Sequence, residues 1–176
     1  MANKQALRDL QTRLALRMQQ VRTEQPGVSW LAVDSGGQGL LLALRQAGEI
    51  ADLGAVLPVP HTRPWLAGVV NLRGGVCTVV DLARFLGLRP PGSAAPQEHA
   101  RLVAFNTALG INGALLVDRL EGLRHAADLQ AEPERADSLA RPAFALARWR
   151  DAAGKVWQEL DLAELTRQPQ FLAITG

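Results

Sequence analysis

GVVNLRGGVCTVVDL, residues 68–82, decides how the chain is read. Valine-rich runs flank Gly74-Gly75, and glycine tolerates the positive φ that a two-residue hairpin turn demands. With Gly74-Gly75 as the turn, Arg73 pairs with Val76, Asn71 with Thr78 and Val69 with Val80. Side chains alternate across a strand, so Val70, Leu72, Cys77 and Val79 form one wholly apolar face, the expected core face. The opposite face mixes Arg73, Asn71 and Thr78 with valines. That is the composition of an interface, in which apolar patches carry a few polar groups that fix register. Arg73 is open to two readings: an exposed charge beside a turn, or a guanidinium offered to a partner's carboxylates or carbonyls, a role that favours Arg over Lys. Cys77 reads as an inert core thiol.

Outward from this hairpin, the chain after Pro26 is a series of short apolar runs bounded by Gly, Asp and Asn, the texture of an all-β fold. The expected strands are SWLAV (29–33), LLLAL (40–44), EIADLGAV (49–56), GVVNLR (68–73), VCTVVD (76–81), RLVAF (101–105), GALLVDRLEGL (113–123), FALARWR (144–150) and VWQEL (156–160). SGGQG between the first two is a hairpin turn and not a phosphate loop, since no helix or Lys-Ser/Thr follows it. VVNLRGGVCTVVDLARFL (69–86) is echoed by ALARWRDAAGKVWQELDLAEL (145–165). Each copy is strand, Gly-containing turn, strand, then Asp-Leu-Ala opening a short helix, with Asp81 and Asp161 where an N-cap belongs. Two similar β units packed face to face fit this repeat. LRPPGSAAPQEHA (88–100) is the expected joint between them, and a second loose segment runs from Arg124 to Pro142.

Before Pro26-Gly27, Leu7, Leu10, Leu14, Met18 and Val21 recur at helical spacing among charged residues, which predicts one amphipathic helix over residues 4–23. The domain reading is a helical extension (1–27), a β domain (28–168) and a C-terminal tail (169–176). The 176-residue chain is 48% hydrophobic with a formal net charge of +2. Only Lys4 and Lys155 of its 19 basic residues are lysine, and the arginines are scattered among acids, so nucleic acid is not an expected partner. No apolar run reaches the roughly 18 residues of a membrane helix, and the N-terminal residues lack the apolar core of a signal peptide. With a single cysteine unable to pair within the chain, the expected location is the cytoplasm, without membrane insertion.

Catalytic and metal-binding patterns are missing from the sequence. His61, His99 and His125 stand far apart, Cys77 has no Cys-x-x-Cys partner, no G-x-S-x-G elbow occurs, and the acids are dispersed. No cofactor and no metal are expected, and a binding or scaffolding module is favoured over an enzyme. Trp30, Trp65, Trp149 and Trp157 are candidates to line a ligand groove, or else core and interface anchors.

Residues 49–88, EIADLGAVLPVPHTRPWLAGVVNLRGGVCTVVDLARFLGL, resemble the CheW-like family of chemotaxis coupling proteins. The matching features are Glu49-Ile50, a proline-bearing loop ending at Pro64-Trp65, Gly68 to Gly74, and Val79-Val80-Asp81-Leu82 opening a helix that ends at Gly87. RLVAFNTALGINGALLVDRLEGL (101–123) is similar to the family's next two strands. The resemblance spans most of residues 29–166. It implies a mainly β protein of two SH3-like five-stranded barrels packed around a shared apolar seam, and a non-enzymatic adaptor. The implied partners are the cytoplasmic tip of a methyl-accepting chemoreceptor and the regulatory domain of a CheA-type histidine kinase. Glu49, Val56, Gly68 and Arg73 fall on positions of the family's coupling surface, Ala47 sits where the family has an aliphatic residue near that interface, and Asn71 shares the face of Arg73. The helical extension and the ending PQFLAIT resemble the branch of the family that serves type IV pili and twitching motility, with flagellar chemotaxis as the alternative output.

Overall fold

The computed structural model describes residues 27–93, 98–133 and 141–176. The helix expected over residues 4–23 lies outside them. Eleven strands are present among the described residues: β1 (Ser29–Ser35), β2 (Gln38–Ala43), β3 (Ala47–Asp52), β4 (Leu66–Leu72), β5 (Gly75–Asp81), β6 (Arg101–Phe105), β7 (Gly113–Val117), β8 (Arg119–His125), β9 (Leu129–Ala131), β10 (Ala145–Asp151) and β11 (Val156–Leu160). Three short helices follow hairpins or close the chain: α1 (Leu82–Phe85), α2 (Leu162–Arg167) and α3 (Pro169–Leu172).

The strands form a six-stranded sheet, β8-β1-β2-β11-β10-β9, and a five-stranded sheet, β3-β6-β7-β5-β4. The repeat seen in the sequence is present as β4-β5-α1 and β10-β11-α2. In each, the second strand of the hairpin pairs in parallel with a strand of another hairpin, β5 with β7 and β11 with β2. The aspartates cap as expected: Asp81 Oδ1 accepts from the Arg84 amide at 3.0 Å, and Asp161 Oδ1 from Ala163 and Glu164 at 2.9 and 3.1 Å.

Several boundaries differ from those expected. EIADLGAV leaves its sheet after Asp52, and beyond it Leu57 re-pairs with the sheet, exchanging 2.8 Å bonds with Val69. GALLVDRLEGL breaks at Asp118 into β7 and β8, which belong to different sheets. β9 makes one unit six-stranded rather than five; it pairs with residues 149–151 of β10 and buries Leu129. The proline-rich stretch 88–100 is not a joint between units, because α1 and β6 on either side of it belong to the same five-stranded half. The chain passes between sheets twice, at residues 44–46 and at Asp118, so the six-stranded unit is built from both ends of the domain and the five-stranded unit is the continuous run inserted between them.

Three apolar clusters explain why. Leu31, Val33, Leu40 and Leu42 from one sheet meet Val103, Phe105, Leu115 and Val117 from the other in a shared seam. The alternate residues point the opposite way. Trp30, Ala32, Leu41 and Ala43 fill the six-stranded unit, and Leu102, Ala114 and Leu116 fill the five-stranded one with Val70, Cys77 and Val79. Strands buried on both faces read as continuous apolar runs such as LLLA and GALLV, without alternation.

The residues expected to be a tail also belong to the seam. Phe171 on α3 is buried, its ring 5.4 Å from Phe85 and 6.0 Å from both Trp65 and Phe105. Ile174 accepts the Arg63 amide at 2.8 Å, which holds the last residues against the loop before β4. Phe171→Ala is expected to cost about 3 kcal/mol of stability, as for other large core truncations. Urea unfolding measures this, and a cost near zero would return residues 169–176 to the status of a tail.

Candidate functional site

In the β4-β5 hairpin Leu72 faces Gly75, so the two turn residues are Arg73 and Gly74 rather than Gly74 and Gly75. Asn71 therefore faces Val76, and Val69 faces Thr78. The slip of two residues is one full pleat period, so the expected division into faces survives it. Its cause is local. Asn71 Oδ1 accepts the Gly74 amide at 3.0 Å and closes the turn one residue early. Arg73 and Gly74 take φ of 53° and 80°, the left-handed pair of a type I′ turn. For an arginine this conformation costs about 1 kcal/mol, which Gly would avoid.

The Arg73 side chain is 77% exposed and forms an ion pair with Glu49 of β3. β3 and β4 are the two ends of the five-stranded order, so the pair links the β4-β5 turn to the strand at the other end. Beside it lies a groove of about 360 Å³, lined by Gly48, Glu49, Leu72, Arg73, Phe105 and Ile111 among others. Apolar side chains flank this corner. Val76, opposite Asn71, is 67% exposed, and Leu57, opposite Val69, is 65% exposed. A charged fork on the same face as exposed aliphatic groups has the composition common in protein contacts.

The other expected site residues are placed as follows. Asn71 is exposed beside Arg73 and shapes its turn. Val56 is half-buried against the interior of the five-stranded unit. Gly68 is buried at φ 142°, and a Cβ there would lie 2.1 Å from the Leu57 carbonyl oxygen, so it is the close approach of residues 53–60 that requires a glycine. Ala47 is buried in the seam opposite Phe105 and presents no side chain to a partner. Val76 and Leu57 were not among the expected site residues. Strand alternation had already put Val76 on the mixed face, whereas Leu57 reaches it only through a single bridge from an irregular segment.

No group of three or more potential metal ligands occurs among the described residues. Burial pushes the Cys77 thiol upward and leaves it inert. The tryptophans are engaged internally. Trp30 and Trp149 donate to the two oxygens of Glu159 at 3.0 and 2.9 Å, Trp157 donates to Asp151 Oδ2 at 2.9 Å, and Trp65 packs edge-on against Phe85. The indole N–H groups of Trp30, Trp149 and Trp157 are therefore all spent on carboxylates of the same chain. The hydrogen bond from Trp157 holds the Asp151 carboxyl below its usual range, helped by the amides of Lys155 and Ala153.

A family model for the CheW-like domain matches residues 29–170. The chain belongs to the CheW-like domain family. The family's members are non-enzymatic scaffold proteins. Among curated relatives, this CheW-like chain is 27% identical over 99 residues to Protein PilI of Pseudomonas aeruginosa, covering 55% of this chain and 53% of PilI, about half that protein's length. It is 31% identical over 113 residues to a probable chemotaxis protein CheW of Rhizobium etli, covering 63% of this chain and 70% of the relative. Among solved structures, the scaffolding protein TtCheW from Thermoanaerobacter tengcongensis superimposes with a TM-score of 0.66 at 19% identity, covering 81% of this chain and 90% of that one, which establishes a shared fold. No helix of the described residues is long and apolar enough to cross a membrane.

The two hairpin turns respond differently to substitution. Arg73→Gly removes the left-handed arginine and is expected to raise stability by about 1 kcal/mol, read as a higher urea midpoint. Asp151→Asn loses the Trp157 bond and lowers the melting temperature at neutral pH. Because the folded carboxyl titrates below its unfolded value, the wild-type advantage is complete above the ordinary carboxylate range and closes only as pH falls through the lowered value. A gap that stays constant into acid would refute this role for Asp151.

Proposed function

We propose that this CheW-like chain is a chemosensory adaptor that couples the cytoplasmic tip of a methyl-accepting chemoreceptor to the regulatory domain of a CheA-type histidine kinase. The observation that carries the reading is Arg73. A non-glycine residue is kept at a left-handed turn position where glycine would be more stable, and its guanidinium stands in solvent among exposed aliphatic side chains. Strain retained at an exposed site points to use of the side chain that causes it. Glu49 fixes the direction of the fork, and Val76 and Leu57 supply apolar area around it.

An adaptor of this kind performs no chemistry. It holds two partners at fixed separation, so that a small receptor displacement reaches the kinase instead of being absorbed. A continuous close-packed seam suits that task, because such interiors deform little. The proposed output is control of type IV pili and twitching motility, in keeping with the similarity to PilI; the CheW relatives make flagellar chemotaxis the second candidate.

Capture of a CheA-type kinase regulatory domain by the purified chain tests the coupling, with wild type and two variants compared. Arg73→Glu is expected to lose capture with little change in melting temperature, since an exposed ion pair contributes at most about 1 kcal/mol. The swapped variant Arg73→Glu/Glu49→Arg rebuilds the internal pair with reversed polarity. It is expected to remain deficient if the partner reads the arginine; full recovery would make the pair a purely internal brace.

A further inference from the structure

Arg89 lies in the stretch that the sequence suggested was a loose joint, yet its side chain is only 8% exposed. Its Nη1 donates to both oxygens of Asp81, at 3.1 and 3.0 Å, and its Nη2 donates to Asp118. Asp81 is the N-cap of α1 and belongs to the five-stranded half. Asp118 is the residue at which the chain leaves that half for the other, and its Oδ2 accepts the amide of Gly36 at 2.8 Å in the β1-β2 turn of the six-stranded half. Beside it, Leu88 fits so closely against this turn that a Cβ on Gly36 would come within 2.7 Å of its Cβ. One guanidinium thus gathers groups from both halves. Burial alone would lower the Arg89 pKa, but hydrogen bonds and charge from Asp118 and Asp81 outweigh it and raise it.

The second passage between sheets is tied in a parallel way with neutral groups. Gln46 lies between β2 and β3; its Nε2 donates to Asp161 Oδ1, the N-cap of α2, and its Oε1 accepts the Leu162 amide, both at 2.9 Å. Each crossover is therefore fastened to the capping aspartate of one repeat, once by an amide and once by an arginine between two carboxylates. Apolar contact across the seam is non-directional and does not by itself choose how one sheet lies on the other. Directional bonds between buried charges do.

We infer that Arg89 is a positioning residue that fixes the placement of the two β units relative to each other. It acts on the geometry of the adaptor and not on its partner surface. Its consequence for signalling rests on the adaptor reading above: loss of the clasp leaves the Arg73 corner intact but lets the units shift, so that binding persists while control fails.

Spin labels placed at Ile50 on β3 and Ala147 on β10, in a Cys77→Val background, read the distance between units. Arg89→Gln strands two largely buried carboxylates and is open to failure of folding, so the decisive variant is Arg89→Gln/Asp118→Asn. It removes both charges, while the side-chain carbonyl left at position 118 still accepts the Gly36 amide. This double variant is expected to melt cooperatively yet lose the single narrow distance of the wild type, and Arg89→Lys is expected to keep it in part. In a reconstituted receptor and kinase assay, kinase capture is retained while receptor control of the kinase falls roughly fivefold or more. A distance distribution as narrow in the double variant as in wild type overturns the inference. Failure of the wild-type chain to capture a kinase would count against the adaptor reading instead, and the distance measurement would still decide the role of Arg89.

Discussion

The fold depends on one constraint: β1, β2, β6 and β7 are buried on both faces. One set of their side chains fills a unit's own interior and the alternate set fills the seam between units. Neither unit can therefore separate without exposing a row of Leu, Val and Phe to water. Because β11 pairs in parallel with β2, the chain leaves the six-stranded sheet after β2 and returns to it after β7, and one half is inserted in the other rather than following it. Apolar attraction supplies the force, and a few polar ties at the crossovers supply direction.

Where the constraint ends, the exposed corner begins. The β4-β5 turn projects beyond the packed layers, so its residues are free of core duty. Arg73 sits there in a backbone conformation that disfavours it, paired to a glutamate from the opposite end of the sheet. The equivalent turn of the other repeat, Asp151 to Lys155, is arranged differently. Its aspartate is consumed by backbone amides and the Trp157 ring, and Lys155 lies over that ring at 4.3 Å. Related hairpins have thus been turned to opposite ends, one facing outward and one braced inward.

Much of this was legible in the residues. Strand alternation divided GVVNLRGGVCTVVDL into a core face and a mixed face, and a register slip of two residues left that division standing. The Asp-Leu-Ala repeats marked two capped helices, and the ordered features from Glu49 to Gly87 pointed to the family that the comparisons establish. Site residues fared unevenly. Arg73, Glu49 and Asn71 meet at one corner, whereas Ala47 turned inward and Gly68 answers to backbone crowding. The local pattern could not separate these cases, since a small residue near an interface and one inside a seam look alike in one dimension.

Local events were written in the chain itself: which runs extend, where hairpins turn within a residue or so, where helices are capped, and which face of a hairpin is apolar. These depend on neighbours a few positions apart, through φ preferences, alternation and capping bonds. Long-range packing alone settled which strands share a sheet, that α1 and β6 on either side of residues 88–100 lie in the same half, and that Phe171 and Arg89 are interior residues. Those outcomes depend on contacts between distant segments. Nothing near Arg89 in the chain announces the carboxylate of Asp118, which the fold alone brings to it.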